Sequence, residues 1–206
     1  KNRHMPRFRQ RVISEDGDGW QIVEQVPEVQ PAQPIVHSLE IREPEPGEGY
    51  QDFIAWHGVR YFAAAEVTLF RRDSRHVEPP RPMWRNIIPT LRICDLLREE
   101  LGHPLAVGNG FRDSAYNARV GGRASSRHLY NQAIDLDLPT AHRGPGHRRK
   151  FSDAIGRLWH QHADALGMGV GFYQHEPTRA HIDTGYRARF WEREFAWPIL
   201  QRTKSQ

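Results

Sequence analysis

Apolar positions along this chain recur with two periods, and the changes from one to the other mark out its elements. Trp84, Ile87, Ile88, Leu91, Cys94, Leu97 and Leu101 fall at helical spacing, and Gly102 follows as a stop. Pro89 must either kink this helix or sit in its first turn, because it has no N–H to give an interior hydrogen bond. Phe151, Ile155, Leu158, Trp159, His162 and Leu166 mark a second amphipathic helix that ends at Gly167. A short helix is predicted over Ala63–Arg71, and another from its cap Asp113 through Val120, closed by Gly121-Gly122. Leu105–Val107 reads as a short apolar strand, Ala133–Leu138 alternates as strands do, and Val170–Tyr173 and Arg179–Thr184 look like two more. Helices and strands mix without regular βαβ alternation, so the predicted class is α+β.

The first 50 residues behave differently. Pro27, Pro31, Pro34, Pro44 and Pro46 interrupt them, with glutamates and glutamines between, so residues 1–50 read as an extended arm or linker and 51–206 as the domain. Two short pieces of the arm, Trp20–Val23 and Ile35–Ile41, have enough alternation to pair as edge strands. Charge is unevenly placed within the net +4: nine acids against Arg42 alone from Ile13 to Tyr50, and a mostly arginine-derived positive charge beyond. Such a surface suits an anionic polymer such as a cell wall; with no recognition helix or RNA-binding aromatic motif, nucleic acid is not an expected partner. The single cysteine, Cys94, excludes an intrachain disulfide and a cysteine-rich zinc finger. No apolar run approaches a membrane span and no charged-then-apolar leader opens the numbering, although a secreted protein has often lost its signal.

The candidate chemistry begins at Ser125–Leu138. His128 and Asp135 lie seven residues apart there, and His181 lies in a later strand. Imidazole nitrogen and carboxylate oxygen are what catalytic zinc takes, three from protein with one position left for water. Strand residues two apart share a face, so Asp135 and Asp137 point one way, and His181 and Asp183 another common way. Spacing makes the three-ligand cluster feasible without compelling it, and most of the 12 histidines must be ordinary surface or packed residues. His175-Glu176 mimics the start of H-E-x-x-H, but Pro177 follows and no histidine stands one helical turn on. His142 and His147 flank Gly144-Pro145-Gly146, predicted as a solvated loop.

These residues resemble a known family. Ser126-Arg127-His128 followed by Ala133-Ile134-Asp135 matches the S-x-H-x6-D element of the zinc D-alanyl-D-alanine peptidases, which include D,D-dipeptidases of vancomycin resistance, phage endolysins and murein endopeptidases. Upstream, GFRDSAYNARVGG is similar to that family's SGYRSPAYNRAVGG; downstream, GVGFY…AHIDTGYRARFW is similar to its GVGFYP…VHIDTG…RYW ending. The resemblance covers about residues 60 to 191. It implies a small antiparallel sheet flanked by helices, the fold shared with hedgehog domains, and Zn2+ held by His128, Asp135 and His181. Arg112 matches the arginine that faces the zinc water and the substrate carbonyl, and Ser126 a serine beside the bound peptide; Tyr130 and Tyr173 are further candidates for lining the groove.

The implied reaction is metal-assisted hydrolysis of peptidoglycan stem peptides or cross-links, in the periplasm or outside the cell; the composition of the arm, independently, suggests that it docks a partner or delivery protein. One branch of the family has E-x-x-H, with glutamate three residues before the last zinc histidine; Thr178 stands there instead. Asp183 is then the first candidate for the catalytic base and Glu176 the second, the alternatives being that Asp183 orients His181 and that Glu176 is a solvated loop residue. An endopeptidase is favoured by the ending. A D,D-carboxypeptidase, or a non-catalytic wall- or partner-binding module on the same fold, is the rival reading.

Overall fold

The computed structural model describes residues 8–15, 21–27, 40–173, 177–191 and 193–204. The chain divides into two units, residues 1–35 and 36–206. In the first, strands β1 (Phe8–Glu15) and β2 (Gln21–Pro27) pair antiparallel, from Phe8 opposite Pro27 to Glu15 opposite Gln21, with an irregularity between Val12 and Ser14. Of the two pieces expected to pair, Gln21–Val23 falls in β2, and most of Ile35–Ile41 lies outside the described residues.

The second unit runs α1 (Tyr50–Trp56), α2 (Ala64–Val67), β3 (Leu69–Phe70), β4 (Arg75–His76), α3 (Ile88–Leu101), β5 (Ala106–Asn109), α4 (Ser114–Arg119), β6 (Ala133–Asp137), α5 (Pro145–Leu166), β7 (Gly169–Phe172), β8 (Arg179–Asp183), β9 (Arg189–Trp191) and α6 (Arg193–Thr203). The class is α+β, as predicted. Pro89 takes the first turn of α3, where its missing N–H costs nothing, and a 3-10 segment over Arg81–Ile87 carries the apolar positions upstream of it. Both long helices end on a left-handed glycine, Gly102 at φ 71° and Gly167 at φ 57°.

Two expectations need correction. The helix expected over Ala63–Arg71 stops after one turn, where Thr68 bonds back to Ala64 O at 2.8 Å, and Leu69–Phe70 turn into a hairpin that buries Phe70 with Phe111 and Tyr116. The loop expected at Gly144–Gly146 instead starts α5, with Pro145 in its first turn. Strand β9 and helix α6 were not foreseen. Pro198 lies inside α6, which argues against a helix in any propensity reading.

A five-stranded sheet, in the order β5-β6-β8-β7-β9, organises this unit; its pairs are antiparallel except β7 with β9. Cross-strand partners share a face. Ile134 opposite Ile182 opposite Val170, and Leu136 opposite Ala180 opposite Phe172, form apolar rows that are fully buried with residues of α3 and α5 such as Leu91, Leu97, Phe151 and Ile155. Alternation then forces the neighbouring residues to the other face: Asp135 opposite His181 opposite Gly171 opposite Trp191, and Ala133 opposite Asp183 opposite Gly169 opposite Arg189. One face is thus core, and the other is lined with ionisable groups.

The two glycines of β7 make room on that polar face. A Cβ on Gly171 would lie 1.7 Å from the Trp191 indole, and one on Gly169 would lie 2.6 Å from Asp183 Oδ2. Gly110, just past β5, is tighter still in consequence, because a Cβ there would lie 2.0 Å from the backbone oxygen of Val67, which cannot swing aside as a side chain can. Gly110→Ala should therefore destabilise the domain by about 1–3 kcal/mol through forced backbone displacement, and Gly102→Ala, with open space around it, by about 1 kcal/mol from the left-handed backbone alone. Urea denaturation midpoints of the two variants against the parent check the ranking; equal midpoints for Gly110→Ala and the parent would refute the close-approach argument.

Candidate metal centre

The β6–β8 register sets Asp135 directly opposite His181 on the polar face. His128 reaches them from a one-turn 3-10 segment, Arg127–Tyr130, that ends on Asn131 in the left-handed region at φ 53°. Asparagine tolerates that conformation better than most residues. Here it is also clamped, with its buried amide donating to Met83 O and to the Tyr50 hydroxyl at 3.0 and 3.1 Å. The turn is held a second time by the Arg112 N–H, three residues past β5, which donates to His128 O at 3.1 Å.

Three atoms converge: His128 Nε2 lies 3.1 Å from His181 Nδ1 and 3.2 Å from Asp135 Oδ1, and the last two are 2.9 Å apart. What the outer nitrogens touch decides what these inner atoms are. His128 Nδ1 is 2.6 Å from Gly110 O, which can only accept, and His181 Nε2 is 2.9 Å from Asp183 Oδ2. Each neutral ring therefore spends its N–H outward and turns a lone pair inward. Two imidazole lone pairs and a carboxylate oxygen within hydrogen-bond distance of one another call for a positive charge among them. A tetrahedral ion with bonds of about 2.0–2.1 Å wants its ligand atoms about 3.3 Å apart, close to the spacing found, so the residues fit a metal.

The electrostatics agree. All three residues are buried. Burial pulls the His128 pKa down, which favours the neutral ligand form. Burial alone would raise the Asp135 carboxyl, but the charge and hydrogen bonds of His128 and His181 outweigh it and hold the group well below the usual carboxylate range. Burial also opposes a charged His181, yet its hydrogen bonds to Asp135 and Asp183 win and raise its pKa. A site that draws a proton onto a buried ring is a site that draws a cation.

Asp135 gathers further donors. Arg112 reaches its Oδ2 at 2.9 Å, Asn109 the same oxygen at 3.3 Å, and the Tyr173 hydroxyl its Oδ1 at 3.0 Å. Burial and the adjacent carboxylate raise the Tyr173 pKa, so its hydroxyl stays a donor. The cluster opens into a cleft of about 1070 Å³ whose walls include Arg112, Ser126, Tyr173 and Trp191. Trp191 lies over Gly171 with its ring 5.0 Å from that of His181.

Residues 60–183 match the family described as Peptidase M15, which is more than half of the chain. This chain belongs to the Peptidase M15 family. Its domain is also 31% identical, over 107 residues, to a protein of Streptomyces albus G named zinc D-Ala-D-Ala carboxypeptidase; the match takes in 52% of this chain and 38% of the relative's length, so the chain spans well under half of that protein. Zinc is the ion that the M15 cluster of His128, Asp135 and His181 suits, with both nitrogen and oxygen ligands and a face left open to the cleft. Among the described residues no other group of histidine, cysteine or acid side chains could hold a metal in this way.

Not every sequence expectation lands in the M15 cleft. Arg112, Ser126 and Tyr173 line it; Tyr130 does not, its half-exposed ring turned to the surface beside Arg127. Asp183, first choice for the base, is wholly buried, is absent from the cleft wall, and is bound by His181 Nε2 and by Arg189 at 2.5 Å. It stands behind the ligand, against the outer nitrogen of His181, the position of a group that holds a ligand ring in place. Glu176 lies outside the described residues. Sequence reading missed Asn109, the Gly110 carbonyl and Arg189. Asn109 precedes the GFRDSAYNARVGG block, Gly110 opens it and Arg189 falls within its downstream counterpart, but nothing in one sequence says that a carbonyl holds a histidine.

Loss of an orienting partner typically weakens metal binding by about 10–100-fold. Asp183→Ala should reduce zinc affinity by that factor, Asp183→Asn by less because its amide oxygen still accepts from Nε2, and His128→Ala should abolish the tight site. Competition against a chromophoric chelator measures all three, and parental affinity in Asp183→Ala would remove its orienting role.

Proposed function

We propose that this protein is a zinc peptidase that hydrolyses peptide bonds of peptidoglycan, as an endopeptidase acting on stem peptides or their cross-links in the periplasm or outside the cell. The observation that carries the reading is the three-lone-pair cluster opening into a cleft roomy enough for a peptide. The family and the name of the Streptomyces relative supply the substrate class. That relative's name also favours a second reading, removal of a terminal D-alanine, which the same site chemistry serves.

A zinc ion bound by His128, Asp135 and His181 supplies Lewis acidity and a water of lowered pKa. The rest falls to the chain. Arg112 places a fixed cation at the mouth of the cluster, where negative charge develops on the carbonyl oxygen, and the Tyr173 hydroxyl offers a second donor. Asp135 is the only carboxylate among the described residues of the cleft wall, and it is a ligand. The proton acceptor is therefore assigned to Glu176, which the sequence places between Tyr173 and Arg179, both on that wall. Residues 1–50 are read as a docking or delivery arm, supported by their proline-rich, acidic composition and by the separate unit that residues 1–35 form.

Purified murein incubated with zinc-loaded protein should release new muropeptides, and none with His128→Ala. The mass of each fragment names the bond: cross-linked fragments split in two mean endopeptidase, loss of one alanine means carboxypeptidase, and no fragment from either protein sinks the hydrolase reading. Glu176→Gln should lower kcat by about 100-fold or more, as loss of a general base does, with zinc content unchanged. Unaltered kcat would remove Glu176 from the mechanism.

A further inference from the structure

Eight arginines line the cleft against one carboxylate, Asp135. Three of them are committed, Arg112 to Asp135, Arg179 to Asp137 at 2.7 and 2.8 Å, and Arg189 to Asp183. The other five, Arg71, Arg72, Arg123, Arg127 and Arg187, have no carboxylate partner among the described residues; Arg71, Arg72 and Arg127 spend single N–H groups on neutral oxygens. Like charges gathered in a recess repel one another, and low-dielectric walls focus their field outward into the cleft. Such a set is stable only at some cost, and an anionic ligand removes that cost.

Their placement is not random. Arg71 donates to Val107 O on β5, one edge of the sheet, with Arg72 beside it. Arg187 stands two residues before β9, the other edge, and shares the Tyr186 ring with Arg127, whose guanidinium lies 4.0 Å from the ring centroid against 5.4 Å for Arg187. The metal ligands Asp135 and His181 sit on β6 and β8, between the edges. Four interstrand steps separate β5 from β9, about 19 Å at a usual strand spacing. An extended peptide covers that distance in five or six residues.

We propose that the cleft binds an extended acidic peptide across the sheet, with one carboxylate held by Arg71 and Arg72 at the β5 edge and another by Arg127 and Arg187 around Tyr186, in the segment that leads into β9. The scissile bond then lies between two anionic groups. This deepens the peptidase reading and rests on it for the bond broken, but the charge requirement is a property of the cleft itself.

The test uses synthetic hexapeptides of stem-peptide type with an acidic side chain toward each end, in four forms: both carboxylates free, either one amidated, or both amidated. Binding to the full chain is measured by calorimetry with and without zinc, and cleavage by kcat/KM. Each amidation should weaken binding roughly tenfold, the scale of one charge-assisted hydrogen bond. Arg71→Gln with Arg72→Gln should erase the response to amidation at one end only, Arg127→Gln with Arg187→Gln at the other only, and the corresponding lysine variants should retain both. Indifference to amidation, or an equal response of both variant pairs to both ends, overturns the proposal, as does tight binding of a phosphate polymer with no preference among the peptides. Charge-dependent binding without cleavage of any form upholds the proposal and discards the peptidase reading. Cleavage without charge preference does the reverse.

Discussion

Three lone pairs that face one another cannot rest together without a cation, and the polar half of this domain is arranged around that constraint. Asp135 and His181 are brought opposite by strand register, so any slip of β6 against β8 would separate them and turn their apolar neighbours to solvent at the same time. The core therefore guards the site: Ile134, Leu136 and Ile182 bury the face behind, and their alternation leaves no other direction for the ligands.

The outward nitrogens matter as much as the inward ones. A backbone carbonyl at Gly110 and a carboxylate at Asp183 fix which nitrogen of each ring is protonated. Arg189 in turn neutralises Asp183, and the bare backbone of Gly169 leaves space for both side chains. A buried carboxylate with its own arginine is costly as an isolated pair. Here the pair is anchored to a ligand, and its use lies in geometry more than in stability.

Much of this was legible in the sequence, and the parts that were not share a cause. Helical spacing from Trp84 to Leu101 and strand alternation from Ala133 to Leu138 report burial on one face; the strand ends within one residue of its expected bound, and the helix keeps its expected end while its α-helical start lies at Ile88, after a 3-10 segment. His128, Asp135 and His181 were placed by motif resemblance and are brought together by the fold. Failures came where a contact across the chain overrode a local preference: Phe70 leaving a helical pattern to join Phe111 and Tyr116, and Pro198 tolerated within α6. For Asp183, a same-face rule places it beside His181 but cannot say on which side of the ring it stands; the structure sets it at the outer nitrogen.

The position of the ligands within the sheet has a thermodynamic side. His181 belongs to β8, the middle strand of five, and Asp135 to its neighbour, so two of the three ligands stand on central strands, the kind of element that opens last in a domain. An unfolded chain has no such cluster, and free zinc at 100 times its dissociation constant adds about 2.7 kcal/mol to the folded state. That is a substantial share of the roughly 5–15 kcal/mol by which domains are stable at all. Zinc supply then affects how stable the domain is as well as whether it works, and a zinc-starved environment lowers both together.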